Sequence, residues 1–76
     1  MPEIQYKGYT IEGTPFRGQP EGKPCCWLAK ARIMWREGPS DREVGVGDPQ
    51  LRPFESEDEA NDFALQLGRA WVDGRG

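Results

Sequence analysis

The sequence has no histidine, and its only two cysteines are the adjacent Cys25 and Cys26. Histidine is the side chain best suited to acid–base chemistry near neutral pH, and it is also a common zinc ligand. Two neighbouring cysteines lack the CxxC spacing of a zinc or redox site, and they could bond to each other only through a strained ring. We therefore expect free thiols in a reducing compartment and predict no metal site.

Other signatures of catalysis are missing as well. No serine or cysteine has a credible base near it in sequence, and no glycine-rich phosphate loop precedes a helix. The sequence therefore predicts a protein that is not an enzyme, with no catalytic residues and no cofactor.

Long apolar runs are also absent, and none approaches the roughly 20 residues that a membrane-spanning helix needs. Residues 1–5 do not show a basic segment followed by an apolar one, which is the pattern of a secretory signal. We expect a cytoplasmic protein with no membrane partner. With 36% hydrophobic and 30% charged residues, the 76-residue chain has the composition of one small globular domain spanning residues 1–76.

The net charge of −3 is unevenly distributed along the chain. Residues 1–36 carry six Lys or Arg and three Glu, for a net +3, whereas residues 37–76 carry four Arg and ten acidic residues, for a net −6. Nucleic-acid-binding proteins usually have a basic balance, because neutralised phosphates supply much of the affinity. The acidic total therefore disfavours a nucleic-acid partner.

The last third of the sequence predicts an amphipathic helix over residues 57–72. Ser56 is a suitable N-cap, and Glu59 completes a Ser-x-x-Glu capping box. Acidic residues in the first turn match the positive end of the helix dipole, so we interpret them as a helix start and not as a metal or acid–base cluster. Gly74 is the predicted stop. The apolar residues recur at helical spacing and form one stripe: Ala60, Phe63, Ala64, Leu67 and Trp71.

The region before this helix predicts β-structure. The middle strand is the clearest, because apolar side chains occupy its odd-numbered positions from Trp27 to Trp35. The apolar phase of the first strand slips at Gly8, where we expect a bulge or a bend. Residues 13–24 contain three Pro and three Gly and are predicted to be a loop, with Phe16 anchored on the core. The predicted strands cover about residues 4–12, 26–36 and 42–47.

The order of these elements, β-β-β-α, predicts an α+β fold, in which one C-terminal helix packs on one face of a three-stranded antiparallel sheet. Eight strand steps from Trp27 to Trp35 span about 26 Å, and a helix of about 16 residues is about 24 Å long. The helix can therefore cover the odd-numbered face of the middle strand. The opposite face is the predicted binding surface, formed by Leu28, Lys30, Arg32, Met34 and Arg36. Two alternatives are a purely solvated face, which antiparallel sheets commonly have, and burial against a second copy of the chain.

The two ends of the chain together resemble a known group of proteins. Residues 6–11 read Tyr-Lys-Gly-Tyr-Thr-Ile, a Pro-rich loop and a Trp-bearing strand follow, and the helix contains Glu59-Ala60 and residues 68–73, Gly-Arg-Ala-Trp-Val-Asp. This is similar to a group of short uncharacterised bacterial proteins that share Tyr-x-Gly-Tyr-x-Ile early and Glu-Ala…Gly-Arg-x-Trp-Ile-Asp late. The resemblance covers nearly the whole chain and implies a fold without an established activity. A looser similarity, in the Tyr-x-Gly opening and the helix end, is to the hemolysin-activator-like family of small bacterial regulators.

The strand and helix order is also similar to the DNA-binding domains of plant ethylene-response factors and phage integrases. Those domains lay the open sheet face in the major groove, and the resemblance implies Lys30, Arg32 and Arg36 as the corresponding contacts. Taken together, the sequence favours a non-enzymatic protein-interaction or regulatory module that binds a protein partner or itself. A nucleic-acid-binding module using the same sheet face is the alternative.

Overall fold

A computed structural model of the chain describes residues 3–18 and 26–75. Within these ranges the protein has six strands and one helix, which confirms the α+β class with a C-terminal helix on a sheet. The elements are β1 (Glu3–Tyr6), β2 (Tyr9–Gly13), β3 (Phe16–Gly18), β4 (Cys26–Leu28), β5 (Lys30–Glu37), β6 (Ser40–Gly47) and α1 (Glu57–Arg75).

The strands form two antiparallel sheets in place of the predicted three-stranded one. The main sheet has four strands in the order β1-β2-β5-β6, and β3 pairs with β4 in a separate two-stranded sheet. The fourth strand of the main sheet arises because the first predicted strand is a hairpin. Lys7 and Gly8 have φ angles of 50° and 85°, and Tyr6 lies opposite Tyr9 across them. Two successive positive φ values are typical of a type I′ turn, so the apolar phase slip marks a chain reversal and not a bulge.

The predicted loop over residues 13–24 is wrong at Gly13 and at residues 16–18, which lie in strands, and is confirmed at Thr14 and Pro15. Gly13 ends β2, and β3 pairs with β4 so that Phe16 lies opposite Leu28. The side chain expected to anchor the loop is 43% exposed. Residues 19–25 lie outside the described part of the chain, and the expectation of a loop there is therefore untested.

The predicted middle strand is interrupted at Ala29, which separates β4 from β5. Trp27 leaves the main sheet and pairs with Phe54, each backbone N–H donating to the other's carbonyl at 2.9 Å.

Cys26, at the start of β4, is disulfide-bonded, and the predicted free thiol is wrong at this position. Cys25 lies outside the described residues.

The helix begins as predicted and ends later than predicted. The Ser56 Oγ accepts a hydrogen bond from the Glu59 N–H at 3.2 Å, which satisfies one unpaired amide of the first turn. The helix then runs through Gly74 to Arg75, so the predicted stop is wrong. Gly74 does not have a positive φ, and the chain therefore does not use its freedom to leave the helix there.

The core lies between α1 and the main sheet. Ile11 and Ile33 are opposite each other on β2 and β5 and are fully buried. The helix approaches them through small residues, since a Cβ added at Gly68 would overlap the Ile11 side chain. The half-buried Phe63, Leu67 and Trp71 flank this row. The most deeply buried helix positions therefore follow a four-residue spacing that differs from the predicted stripe: Ala60, Ala64, Gly68 and Val72, with Asn61 beside them.

Candidate interaction surface on the open sheet face

Successive side chains of β5 point alternately toward the helix and toward solvent. Ala31 and Ile33 are buried beneath α1, whereas the side chains between them point to the opposite side of the main sheet. Lys30, Arg32, Met34 and Arg36 lie on that side, as predicted. We call this side the open face, because no element within residues 3–18 and 26–75 is packed over it.

Leu28 does not belong to the open face. It lies on β4, in the two-stranded sheet, opposite Phe16. Its side chain packs beside Gly18, where an added Cβ would sit 3.4 Å from the Leu28 Cδ1. The sequence pattern alternates without a break from residue 26 to residue 36, so it carries no signal of the interruption at Ala29 that moves Leu28 away.

The register of the main sheet surrounds the cations of β5 with acids. Glu12 of β2 lies opposite Arg32, and Glu43 of β6 lies opposite Met34. The Arg32 guanidinium contacts the Glu12 and Glu43 carboxylates at 3.4 and 3.9 Å while remaining 49% exposed. Asp41 is directly opposite Arg36 on the same side. The open face therefore has a cationic middle strand between two acidic strands.

Met34 is half-buried and lies between Thr10 and Glu43 in one cross-strand row. A shallow depression of about 630 Å³ opens beside it. A second depression, of about 320 Å³, lies farther along the same strands and includes Lys30, Arg32 and Glu43. Both are open to solvent, so the geometry suits a flat contact better than an enclosed small molecule. The first depression is lined by Gly8, Thr10, Met34, Trp35, Arg36, Asp41, Arg42 and Glu43.

The other concentration of aromatic and charged side chains lies where the β1–β2 hairpin meets the end of α1, and we call it the hairpin–helix end. The rings of Tyr9, Trp35 and Trp71 are mutually in contact, with centroid distances of 5.5, 5.5 and 6.2 Å. The Arg75 guanidinium lies 4.9 and 5.0 Å from the two tryptophan ring centroids. Tilted and edge-on ring contacts with a cation over the rings stabilise such a cluster.

Polar contacts also join the hairpin to the helix at this end. The Tyr6 hydroxyl donates to the Asp73 carboxylate at 2.9 Å, and the Lys7 Nζ donates to it at 2.7 Å. These hydrogen bonds, from Lys7 first and Tyr6 second, lower the pKa of Asp73 below its ordinary value even though desolvation opposes them. The hydrogen bond that Lys7 donates to Asp73 also raises the pKa of Lys7 above its ordinary value. Both groups therefore stay charged and hold the hairpin against the helix near neutral pH.

These contacts join the two halves of the pattern on which the bacterial resemblance rests. Tyr6 of the early half bonds Asp73 of the late half, Tyr9 packs on Trp71, and Ile11 lies against Gly68. The early and late halves are thus complementary parts of one packing unit. Sequence reasoning used both halves to recognise a resemblance and missed that they touch.

Asp48 is a buried acid in the segment between β6 and α1. Burial opposes its ionisation, but hydrogen bonds from the backbone N–H groups of Gln50 and Arg52, at 3.0 and 3.1 Å, outweigh burial. The charge of Arg52 acts in the same direction, and the pKa of Asp48 lies below its ordinary value. Its hydrogen bonds order the loop before the helix, where Leu51 has a φ of 50°.

Residues 3–18 and 26–75 contain no group of three or more His, Cys, Asp or Glu side chains placed to hold a metal ion. No helix in these ranges has the length and apolar character needed to cross a membrane. Models of known protein families, curated proteins and solved structures gave no match to the chain.

Proposed function

We propose that the protein is a non-enzymatic interaction module that binds a protein partner through its open face. The observation that supports this most is the mixed surface around Met34. A half-buried apolar side chain lies there among exposed cations and acids, and within the described residues nothing covers it. Protein–protein contacts combine an apolar centre with a polar rim in this way.

The arrangement of charge favours a protein over a nucleic acid. The open face carries the three cations Lys30, Arg32 and Arg36 and four acids, and Arg32 lies between two of those acids. A phosphate backbone would be repelled by the acids and would have to displace them from Arg32. A protein surface with both signs of charge can complement the pattern, which gives specificity and steers association. The four acids are Glu3, Glu12, Asp41 and Glu43.

The test compares Met34→Glu with Leu51→Glu in quantitative affinity capture from cells of the source organism. Leu51 is 63% exposed in the loop before the helix, so its variant adds the same charge away from the open face. We expect partners captured by the wild type to be retained by Leu51→Glu and lost by Met34→Glu, with circular dichroism showing that both variants fold. Equal capture by both variants contradicts a partner site at Met34.

The nucleic-acid alternative makes a separate prediction. It requires binding of labelled duplex DNA or RNA that weakens with salt and is reduced by Arg32→Ala. Fluorescence anisotropy at low ionic strength measures this directly. Salt-sensitive binding that Arg32→Ala reduces would replace the protein-partner proposal, and absence of binding supports it.

A further inference from the structure

The main sheet ends at β6, an exposed strand of eight residues. Among residues 3–18 and 26–75, β5 is its only strand partner, so its outer edge has unpaired backbone groups. Such an edge is a template for another strand. We propose that the outer edge of β6 pairs antiparallel with the same edge of a second copy, with Val44 opposite Val44, to form a symmetric dimer.

Backbone geometry limits the possible registers. β5 and β6 join across the two residues Gly38 and Pro39, with Glu37 opposite Ser40 and an unbroken register to Gly47. A two-residue hairpin closes on a hydrogen-bonded pair, and such pairs alternate along an antiparallel ladder. The N–H and C=O groups of the even-numbered residues of β6 therefore point to β5. Those of Asp41, Glu43, Gly45 and Gly47 point outward, and a second copy must pair odd-numbered residues with odd-numbered residues.

Side-chain charge and the position of Pro49 then select one register. A dimer centred on Asp41, Arg42 or Glu43 places acids of the two copies directly opposite each other, which is destabilising. A dimer centred on Gly45 brings Pro49, which has no N–H, opposite Asp41. The register centred on Val44 avoids both faults. It pairs Asp41 with Gly47 and Glu43 with Gly45, twice each by symmetry.

At each of these pairs, the glycine leaves room for an acid of the second copy to approach a cation of β5. Gly45 lies opposite Arg32 and Gly47 lies opposite Lys30 on the neighbouring strand β5. Because glycine has no side chain, Glu43 of the second copy can reach over Gly45 toward Arg32, two strand spacings or about 9.6 Å away between Cα atoms. Asp41 of the second copy has the same relation to Lys30. Within the described residues, no carboxylate forms an ion pair with Lys30, so this cation is available to the second copy.

The dimer edge is distinct from the open face, so this inference does not rest on the proposed function. The two copies would form a continuous eight-stranded sheet with both helices on one side, because opposite residues in an antiparallel pair point to the same side. The open faces of both copies would then lie side by side on the other side of the sheet.

The test is sedimentation velocity of the full chain over a wide range of protein concentration, for the wild type and three variants: Gly45→Glu, the double variant Glu43→Lys/Gly45→Glu, and Met34→Glu. Gly45→Glu places a carboxylate opposite Glu43 of the second copy at two symmetric positions, and we expect the dimer Kd to rise roughly tenfold. In the monomer the new carboxylate lies beside Lys30 and Arg32, so the fold should persist, as circular dichroism will show. The double variant Glu43→Lys/Gly45→Glu replaces the two like charges of this pair by opposite charges and should restore the dimer.

Each other outcome overturns the proposal. A wild-type chain that stays monomeric at all concentrations excludes the dimer. A dimer that tolerates Gly45→Glu but is dissociated by Met34→Glu assembles through the open face and not through β6. A dimer lost in Gly45→Glu and not restored by Glu43→Lys uses another register, since a dimer centred on residue 45 would keep two like charges opposite each other.

Discussion

The hairpin–helix end and the open face both gather apolar and charged side chains on the main sheet, but only the hairpin–helix end adds aromatic rings, and the two regions use their side chains differently. At the hairpin–helix end, the Tyr9, Trp35 and Trp71 rings contact one another, and Tyr6 and Lys7 both donate to Asp73. On the open face, ion pairs such as Arg32–Glu12 join neighbouring strands at the surface. The first region holds two distant parts of the chain together, and the second leaves its groups accessible to another molecule.

This difference explains why the recognisable sequence pattern does not indicate a function. Its early and late halves lie at the hairpin–helix end, where their side chains pack against and hydrogen-bond each other. The cations and Met34 of the open face lie in the middle of the chain, outside both halves. The contacts between these two segments therefore account for packing at the hairpin–helix end and leave the exposed surface unspecified.

The largest expected effect is a difference in stability between two alanine variants, one in each region. Trp71→Ala removes a ring that packs on Tyr9 and Trp35 and supports Arg75, and it should lower the free energy of unfolding by about 3 kcal/mol. Met34→Ala removes a half-buried side chain that the helix does not cover, and the loss should be about 1 kcal/mol. Urea unfolding followed by circular dichroism measures both. Equal losses would show that the open face is as important to the fold as the hairpin–helix end.

A smaller effect, with a change of sign, is expected from two glycines of the helix. Gly68→Ala gains about 1 kcal/mol of helix propensity, but its methyl group overlaps the fully buried Ile11, and overpacking of this kind costs about 1–3 kcal/mol. We expect a net loss of stability of about 1 kcal/mol. Gly74→Ala meets nothing within 4 Å and should be neutral or slightly stabilising. Thermal unfolding of the two variants side by side checks the prediction, and stabilisation by both would contradict close packing of the helix on β2.

The parts of the fold that the sequence predicts correctly depend on local signals. Ser56 and Glu59 identify the helix start because a cap acts within one turn. Alternation along residues 30–36 identifies which side chains share a face because the side-chain period of a strand is two. These signals place Lys30, Arg32, Met34 and Arg36 together without knowledge of any other element.

The wrong predictions concern features that depend on distant residues or on backbone conformation. The Lys7-Gly8 turn needs two positive φ values, and lysine is not among the residues that usually indicate them. The interruption at Ala29 follows from the pairing of Trp27 with Phe54, which lies 27 positions away. The acids around Arg32 come from β2 and β6, so the mixed charge of the open face becomes visible only when the register is known.

The smallest predicted effect tests whether Asp73 fastens the hairpin to the helix. Its pKa in the folded protein lies below the ordinary value of 3.8, first because of the hydrogen bond from Lys7 and then because of the one from Tyr6. A lowered folded-state pKa means that the unfolded chain binds the proton more readily. The stabilisation is therefore complete well above pH 3.8 and is lost as the pH falls through the lower pKa of the folded protein.

Asp73→Asn should accordingly reduce the unfolding temperature near neutral pH, and its difference from the wild type should shrink as the pH is lowered past that range. Asp62→Asn is the matched control, since Asp62 is exposed on the same helix and accepts no side-chain hydrogen bond from the described residues. This control should change the unfolding temperature near neutral pH less than Asp73→Asn does. Because Lys7 and Asp73 are half-exposed, salt screens their attraction, and the effect should also decrease at high ionic strength. A difference that persists unchanged at low pH would mean that the asparagine disturbs packing at the hairpin–helix end, and that the charge of Asp73 does not stabilise it.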